Sequence, residues 1–250
     1  MKNFTSSQKE KHSFQFFTKT LRHIKMKNII TLIFLTCSFF LQAQNTWQGN
    51  TNSDWNTPTN WSLNTIPNST ENITISASSN NPVIMAGTNV FIKKLVLSGN
   101  TILTISSGAS LTVNGATNNG ITIPDNSQLY NNGTLKIDNV SGAQNQGTSN
   151  GISMCGDLIN NGIIEINQNG GGIAGRGILA GLGCASPPLI DNQSGEMTIG
   201  TTGPTAIELL GSASGVNGSC AILNVTKRIR TIQSGTFPVS YTHLTLPTKA

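Results

Sequence analysis

Six carboxylates are strung through the middle of this chain: Asp125, Asp138, Asp157, Glu165, Asp191 and Glu196, with Lys136 and Arg176 among them. Asp and Glu clusters, sometimes with Ca²⁺ and a basic residue, are what polysaccharide lyases and hydrolases use. These six are spread out rather than clustered. Only a chain that returns to the same place every ~25–30 residues could make neighbours of two, Asp157 and Asp191 for example. All three His (His12, His23, His243) lie outside residues 44–238, so that stretch can build no Ser-His-Asp, Cys-His or His-based metal site. The Gly-rich run "NGGGIAGRGILAGLG" (169–183) misses the dinucleotide fingerprint by one residue and lacks the Lys-Ser/Thr of a phosphate loop, so it is read as a coil loop. "TKRIR" (226–230) reads as a solvated strand face. No catalytic, cofactor-binding or metal-ligating residue is assigned, and no cofactor is expected.

Three cysteines, Cys155, Cys184 and Cys220, follow Cys37 at spacings that match no metal signature. They allow one bridge and one leftover thiol, in any of three pairings. Trp47, Trp55 and Trp61 are every Trp in the chain. They could form an exposed platform for sugar rings, or cover the open end of whatever follows them.

What must position these residues is legible in apolar triplets. "LVL" (95–97), "LTI" (103–105) and "LTV" (111–113) start eight residues apart, and "LKI" (135–137), "IEI" (164–166) and "MTI" (197–199) follow. Apolar-x-apolar is the period of a strand with one buried face. The step from Leu111 to Leu135 is three times eight, so one coil of three short sides would bring Leu135 above Leu111. "GITIPDNSQLYNNGTLKI" (120–137) recurs as "GISMCGDLINNGIIEI" (151–166) with a two-residue gap, and "LIDNQSGEMTI" (189–199) keeps the cadence. Repeats of this length indicate a solenoid. The expectation is an all-β, parallel (right-handed) β-helix with an N-terminal capping segment; a β-sandwich or meander with the eight-residue steps as hairpins is the alternative. Leu135/Ile137, Ile164/Ile166 and Met197/Ile199 should stack inward, and Lys136 should meet Glu165 outside. Asn-Asn-Gly before each strand suits a tight corner through left-handed conformations, and stacked Asn side chains there could form ladders between coils.

Both ends read differently. "MKNIITLIFLTCSFFLQAQ" (26–44) has a basic start, an apolar run of 13 residues and a small-residue exit, the parts of a secretory signal peptide cleaved near Ala43. The run falls below the roughly 18 residues of a membrane span. Residues 1–25 are then an upstream or mis-started segment, or a long n-region. At the other end, Val239–Thr248 is encoded without mismatch by "GTC TCT TAT ACA CAT CTG ACG CTG CCG ACG", which resembles a transposon mosaic end plus sequencing adapter. Residues 239–250 are therefore expected to be adapter-derived. Seven of the 15 Lys and Arg lie in 1–43 and an eighth is Lys249, so Gln44–Pro238 carries seven against nine Asp and Glu, a net −2 rather than the whole chain's +5. The basic balance belongs to the ends and gives no argument for nucleic acid.

"WQGNTNSDWNTPTNWSLNTIPNSTENITI", followed by "GASLTVNG" (108–115), resembles the opening of secreted bacterial β-helical repeat proteins, over roughly residues 46–199. The expected division is a Trp-rich cap at 44–87 and β-helix repeats at 88–238. The resemblance implies adhesins, autotransporter-like passengers and surface-layer-like proteins, many with a C-terminal sorting domain that would be missing here. We therefore expect an exported cell-surface or secreted bacterial protein without an integral membrane span, structural or adhesive, presenting loops such as 138–151 and 167–188 to glycans, cells or matrix. The alternatives are an extracellular polysaccharide-acting enzyme, or a spacer for a missing C-terminal module.

Overall fold

The computed structural model of the chain describes residues 44–141, 149–166, 175–201, 203, 205–232, 236 and 244–245. The expected upstream segment, the signal peptide, most of the adapter-like end and parts of both expected loops (142–148 and 167–174) lie outside the described residues. Within them the chain winds as a β-solenoid, with three parallel sheets of eight, seven and six strands forming its sides. Each full coil visits them in turn. Sheet 1 takes Asn72–Ser76, Lys94–Ser98, Ile121–Ile123, Ile152–Met154, Ile178–Ala180, Thr205–Leu210 and Arg228–Ile232. Sheet 2 takes Val83–Ile84, Ile102–Ile105, Gln128–Asn131, Asp157–Asn160, Leu189–Asn192 and Ser214–Asn217. Sheet 3 takes Asn89–Ile92, Ser110–Asn114, Thr134–Asp138, Ile163–Ile166, Glu196–Ile199 and Ile222–Val225, with Leu244–Thr245 beside the last.

The pairing of successive strands is parallel, which removes the hairpin alternative, since hairpins pair antiparallel. Leu135 sits between Leu111 and Ile164, and Ile164 pairs on to Met197, as the repeat spacing requires. In the coil from Ile121 to Asp138, the inward Ile121, Ile123, Leu129, Leu135 and Ile137 are all fully buried. Each contributes about 1.5–3 kcal/mol relative to exposure in water. Regular coils begin at Asn72, ahead of the expected residue 88, because Asn72–Ser76 already pairs in register with Lys94–Ser98. The expected single loop 167–188 is interrupted by the strand Ile178–Ala180.

One inward column is polar. On sheet 2, Ile105 is followed in register by Asn131, and Asn160, Asn192 and Asn217 continue the column through the next coils. Asn131 Nδ2 donates to Asn160 Oδ1 (2.7 Å), Asn160 to Asn192 (2.8 Å) and Asn192 to Asn217 (2.6 Å). The same amides donate to the backbone oxygens of Ile163, Glu196 and Ile222, which tie each corner to the sheet 3 strand of the next coil. Every link points the same way, so Asn131 Oδ1 faces the apolar Ile105 column end and is buried without a donor.

The glycines of the Asn-Asn-Gly corners do another job than expected. Neither Gly133 nor Gly162 has a positive φ. A Cβ on Gly133 would instead lie against the carbonyl oxygens of Ala109 and Ser106, and one on Gly162 against Gly133 O. The glycine is there so that coils can approach; the left-handed turns are elsewhere, as at Gly99 (φ 76°) and Gly108 (φ 75°).

The start of the solenoid is closed by residues 44–61. Thr46–Trp47 adds a parallel strand to the edge of sheet 1, and Asp54 bridges to Val83 at the edge of sheet 2. Trp47, Trp55 and Trp61 are at most 1% exposed and meet one another with ring centroids 4.7–6.5 Å apart. Trp47 Nε1 donates to Asn80 O and Trp61 Nε1 to Trp55 O. The rings belong to the core cluster that runs on through the coils, so an exposed sugar platform is ruled out for all three.

Outside, Lys136 Nζ lies 2.8 Å from Glu165 Oε2 on neighbouring strands of sheet 3. Both side chains are partly exposed, so the pair should couple by only about 0.2–1 kcal/mol. A double-mutant cycle with Lys136→Glu and Glu165→Lys, read by urea denaturation, should recover that coupling at low salt and lose most of it in high salt. Asn160→Ala, which removes the middle link of the buried amide column, should cost about 1–3 kcal/mol in the same measurement because it strands Asn192 Oδ1.

Candidate functional site

The sequence nominated carboxylates; the structure shows what each one holds. Asp125 Oδ1 accepts from the backbone amides of Ala185 (3.0 Å) and Ser186 (2.9 Å), 60 and 61 residues further on. Asp157 accepts from Leu189 N at Oδ1 (3.1 Å) and from Gln128 Nε2 at Oδ2 (3.2 Å). Glu165 pairs with Lys136. Asp191 Oδ2 accepts from Gln193 Nε2 (3.3 Å). Asp138 is buried at the end of its strand, in register with Asn114, and Glu196 pairs in register with Ile163 and Ile222. Asp157 and Asp191 lie on adjacent strands of sheet 2 but two positions out of register, since Asp191 stands opposite Ile159. The coil does bring the two onto the same outward face, as diagonal rather than directly opposite neighbours, about 7–8 Å apart. Among the described residues, no group of three or more His, Cys, Asp or Glu side chains could hold a metal ion.

The remaining nominated cation, Arg176, contacts Glu208, a carboxylate the sequence reading passed over. Glu208 is only 2% exposed and is also met by Arg230 Nη1 at 3.3 Å. Burial, and then the like charge of Arg230, lowers the Arg176 pKa from its ordinary value. A signal for this triad exists in "TAIELL" and "RIRTI", whose Glu208 and Arg230 are cross-strand partners, but a register shift between Thr205 and Ile207 hides it from a text alignment. Arg230 and Arg228 are otherwise exposed on the strand face, as expected of "TKRIR".

The described part of the Gly-rich run is a coil element. Gly175 N bonds to Ser149 O, and a Cβ on Gly177 would meet the Ile199 side chain and Ala206 O. Among the described residues no βαβ unit surrounds it.

The structure does concentrate interactions at one place, the corner between sheets 1 and 2. There the segment Gly181–Pro188 leaves the coil and lies back over earlier ones. It is fastened by a disulfide between Cys155 and Cys184, by Asp125 at its middle and by Asp157 just beyond its end. Of the three possible cysteine pairings this is the one formed, leaving Cys220 as an exposed free thiol. Ser186 and Pro187 of this strap form one wall of an open groove of about 460 Å³, with Asn100, Asn126, Gln128 and Asp157 also lining it. A second groove, of about 410 Å³, lies at the solenoid start beside the half-exposed Phe91 and Ile66.

Residues 46–155 match the model of a family described as a domain of unknown function (DUF8693). That stretch runs from the first edge strand through the Trp cluster and three coils to the first disulfide cysteine. No curated protein and no solved structure matches the chain.

The disulfide closes a loop of 29 residues and joins two successive coils. Replacing Cys155 and Cys184 by Ser should lower stability by about 2–4 kcal/mol in urea titrations, and a reducing agent should do the same to the unaltered chain. Cys220→Ser should leave the midpoint where it was.

Proposed function

We propose that this chain is an exported, cell-surface or secreted protein with a structural or adhesive role. In this reading it is a stiff β-solenoid that holds surface loops out to glycans, cells or matrix. The observation that carries the proposal is where its carboxylates are spent. Asp125 and Asp157 secure a loop, and Glu165 and Glu208 neutralise cations between coils. These four carboxylates are thus committed to shape. A disulfide between coils suits an oxidising compartment. Among the described residues no helix is long and apolar enough to cross a membrane, which accords with a rod lying outside one.

Loops carry recognition on a repeating scaffold. Beads coated with the chain should attach to bacterial cells or immobilised extracellular polysaccharide. Attachment should survive Asp138→Asn, Glu165→Gln and Asp191→Asn and fall when the loops at 138–151 and 181–188 are shortened. Release of reducing sugar or unsaturated product from polysaccharide, abolished by any one of those carboxylate changes, would make the chain an enzyme instead.

A further inference from the structure

We propose that the groove beside the Cys155–Cys184 strap binds a neutral oligosaccharide, and that the disulfide sets the position of its outer wall. The inference rests on the adhesive reading and gives it a site. The groove lining contains no Lys or Arg, and its one carboxylate, Asp157, already accepts at both oxygens. An anion finds no countercharge there, and a cation finds a single carboxylate already engaged by two hydrogen bonds.

What the lining does offer is carboxamide. Asn100 and Asn126 are exposed, and their side chains bond no other described residue. The residues that follow them, Thr101 and Ser127, are hydrogen bonded to each other at 3.2 Å and buried, which fixes the two corners directly above one another. The backbones of Asn100 and Asn126 therefore stand about 4.8 Å apart, one coil step, close to the length of a single pyranose unit in an extended glycan. A carboxamide presents one acceptor and two donors, which matches the mixed donor and acceptor character of sugar hydroxyls. Ile102 and Pro187 supply apolar surface for the C–H faces of the ring.

The wall opposite is built from Ser186 and Pro187, and it is located by the staples already described. Asp125 takes the amides of Ala185 and Ser186, Asp157 takes that of Leu189, and the Cys155–Cys184 bond anchors the strap at its other end. Of these only the disulfide is covalent, so reducing it loosens the wall without touching Asn100 or Asn126.

The test is calorimetric titration of the chain with a panel of neutral oligosaccharides built from glucose, galactose or N-acetylglucosamine, alongside sulfated and uronic-acid counterparts and extended peptides. A neutral glycan should bind. Asn100→Ala with Asn126→Gly should weaken it about tenfold or more, with circular dichroism and the melting profile nearly unchanged, because both residues are exposed and Gly accepts the left-handed backbone of Asn126 (φ 61°). Reduction, or Cys155→Ser with Cys184→Ser, should weaken the same glycan while the β-sheet signal at the working temperature is retained. Neutral-glycan binding that ignores the two Asn changes overturns the groove as the site and leaves the adhesive reading standing. Tighter binding of the anionic sugars, or of peptides alone, overturns the ligand class. If no glycan binds yet coated beads still attach to cells, only this inference falls; if attachment is also absent, the adhesive reading falls with it.

Discussion

Each strand inside the stack is held by strands a full coil earlier and later in the chain, and that in-register parallel stacking is the constraint from which the rest follows. A coil cannot bury its apolar side alone; it needs the coil below as a floor and the coil above as a roof. Stacking in register also means that each side chain faces its equivalent, so whatever type occupies a column is multiplied along it. Ile and Leu columns become a continuous core. An Asn column becomes a chain of amide hydrogen bonds, in which each dipole strengthens the next. A glycine column becomes a place where backbones nearly touch.

The same constraint explains how the ends and the surface are treated. A stack of parallel strands presents unpaired edges at its first coil, and the chain covers two of its three edges with its own preceding segment, sealed by three interlocking indoles. Insertions cannot enter a side of the prism without breaking a ladder, so they leave at corners. The strap at Gly181–Pro188 is such an insertion, and it spends two carboxylates and a disulfide to lie against coils that precede it.

Much of the architecture was legible in the text because period-two triplets and a 24-residue step leave few other geometries. Leu135 over Leu111 and Lys136 beside Glu165 follow from counting alone. What counting could not supply was contact between segments of unequal length. The partner of Cys155 and the hold of Asp125 on residues 60 positions away depend on how an insertion folds back. Glu208 was missed because an irregularity beside it shifts its alignment with Arg230. The corner glycines were recognised but for the wrong reason, since the text shows a glycine's presence and not the carbonyl that crowds it. The Trp trio was ambiguous because indoles serve sugar binding and core packing equally well; only burial separates the two.

The Cys155–Cys184 bond also gives the rod a mechanical character. In this fold the hydrogen bonds run along the axis, so a steady pull on the chain ends loads one coil at a time and peels the stack like a zipper. The 29-residue loop that the bond closes cannot pay out under such a pull. A rod tethered at one end and gripped at the other would lengthen in coil-sized steps and then arrest at that knot, keeping the coils on either side of it joined while the load lasts.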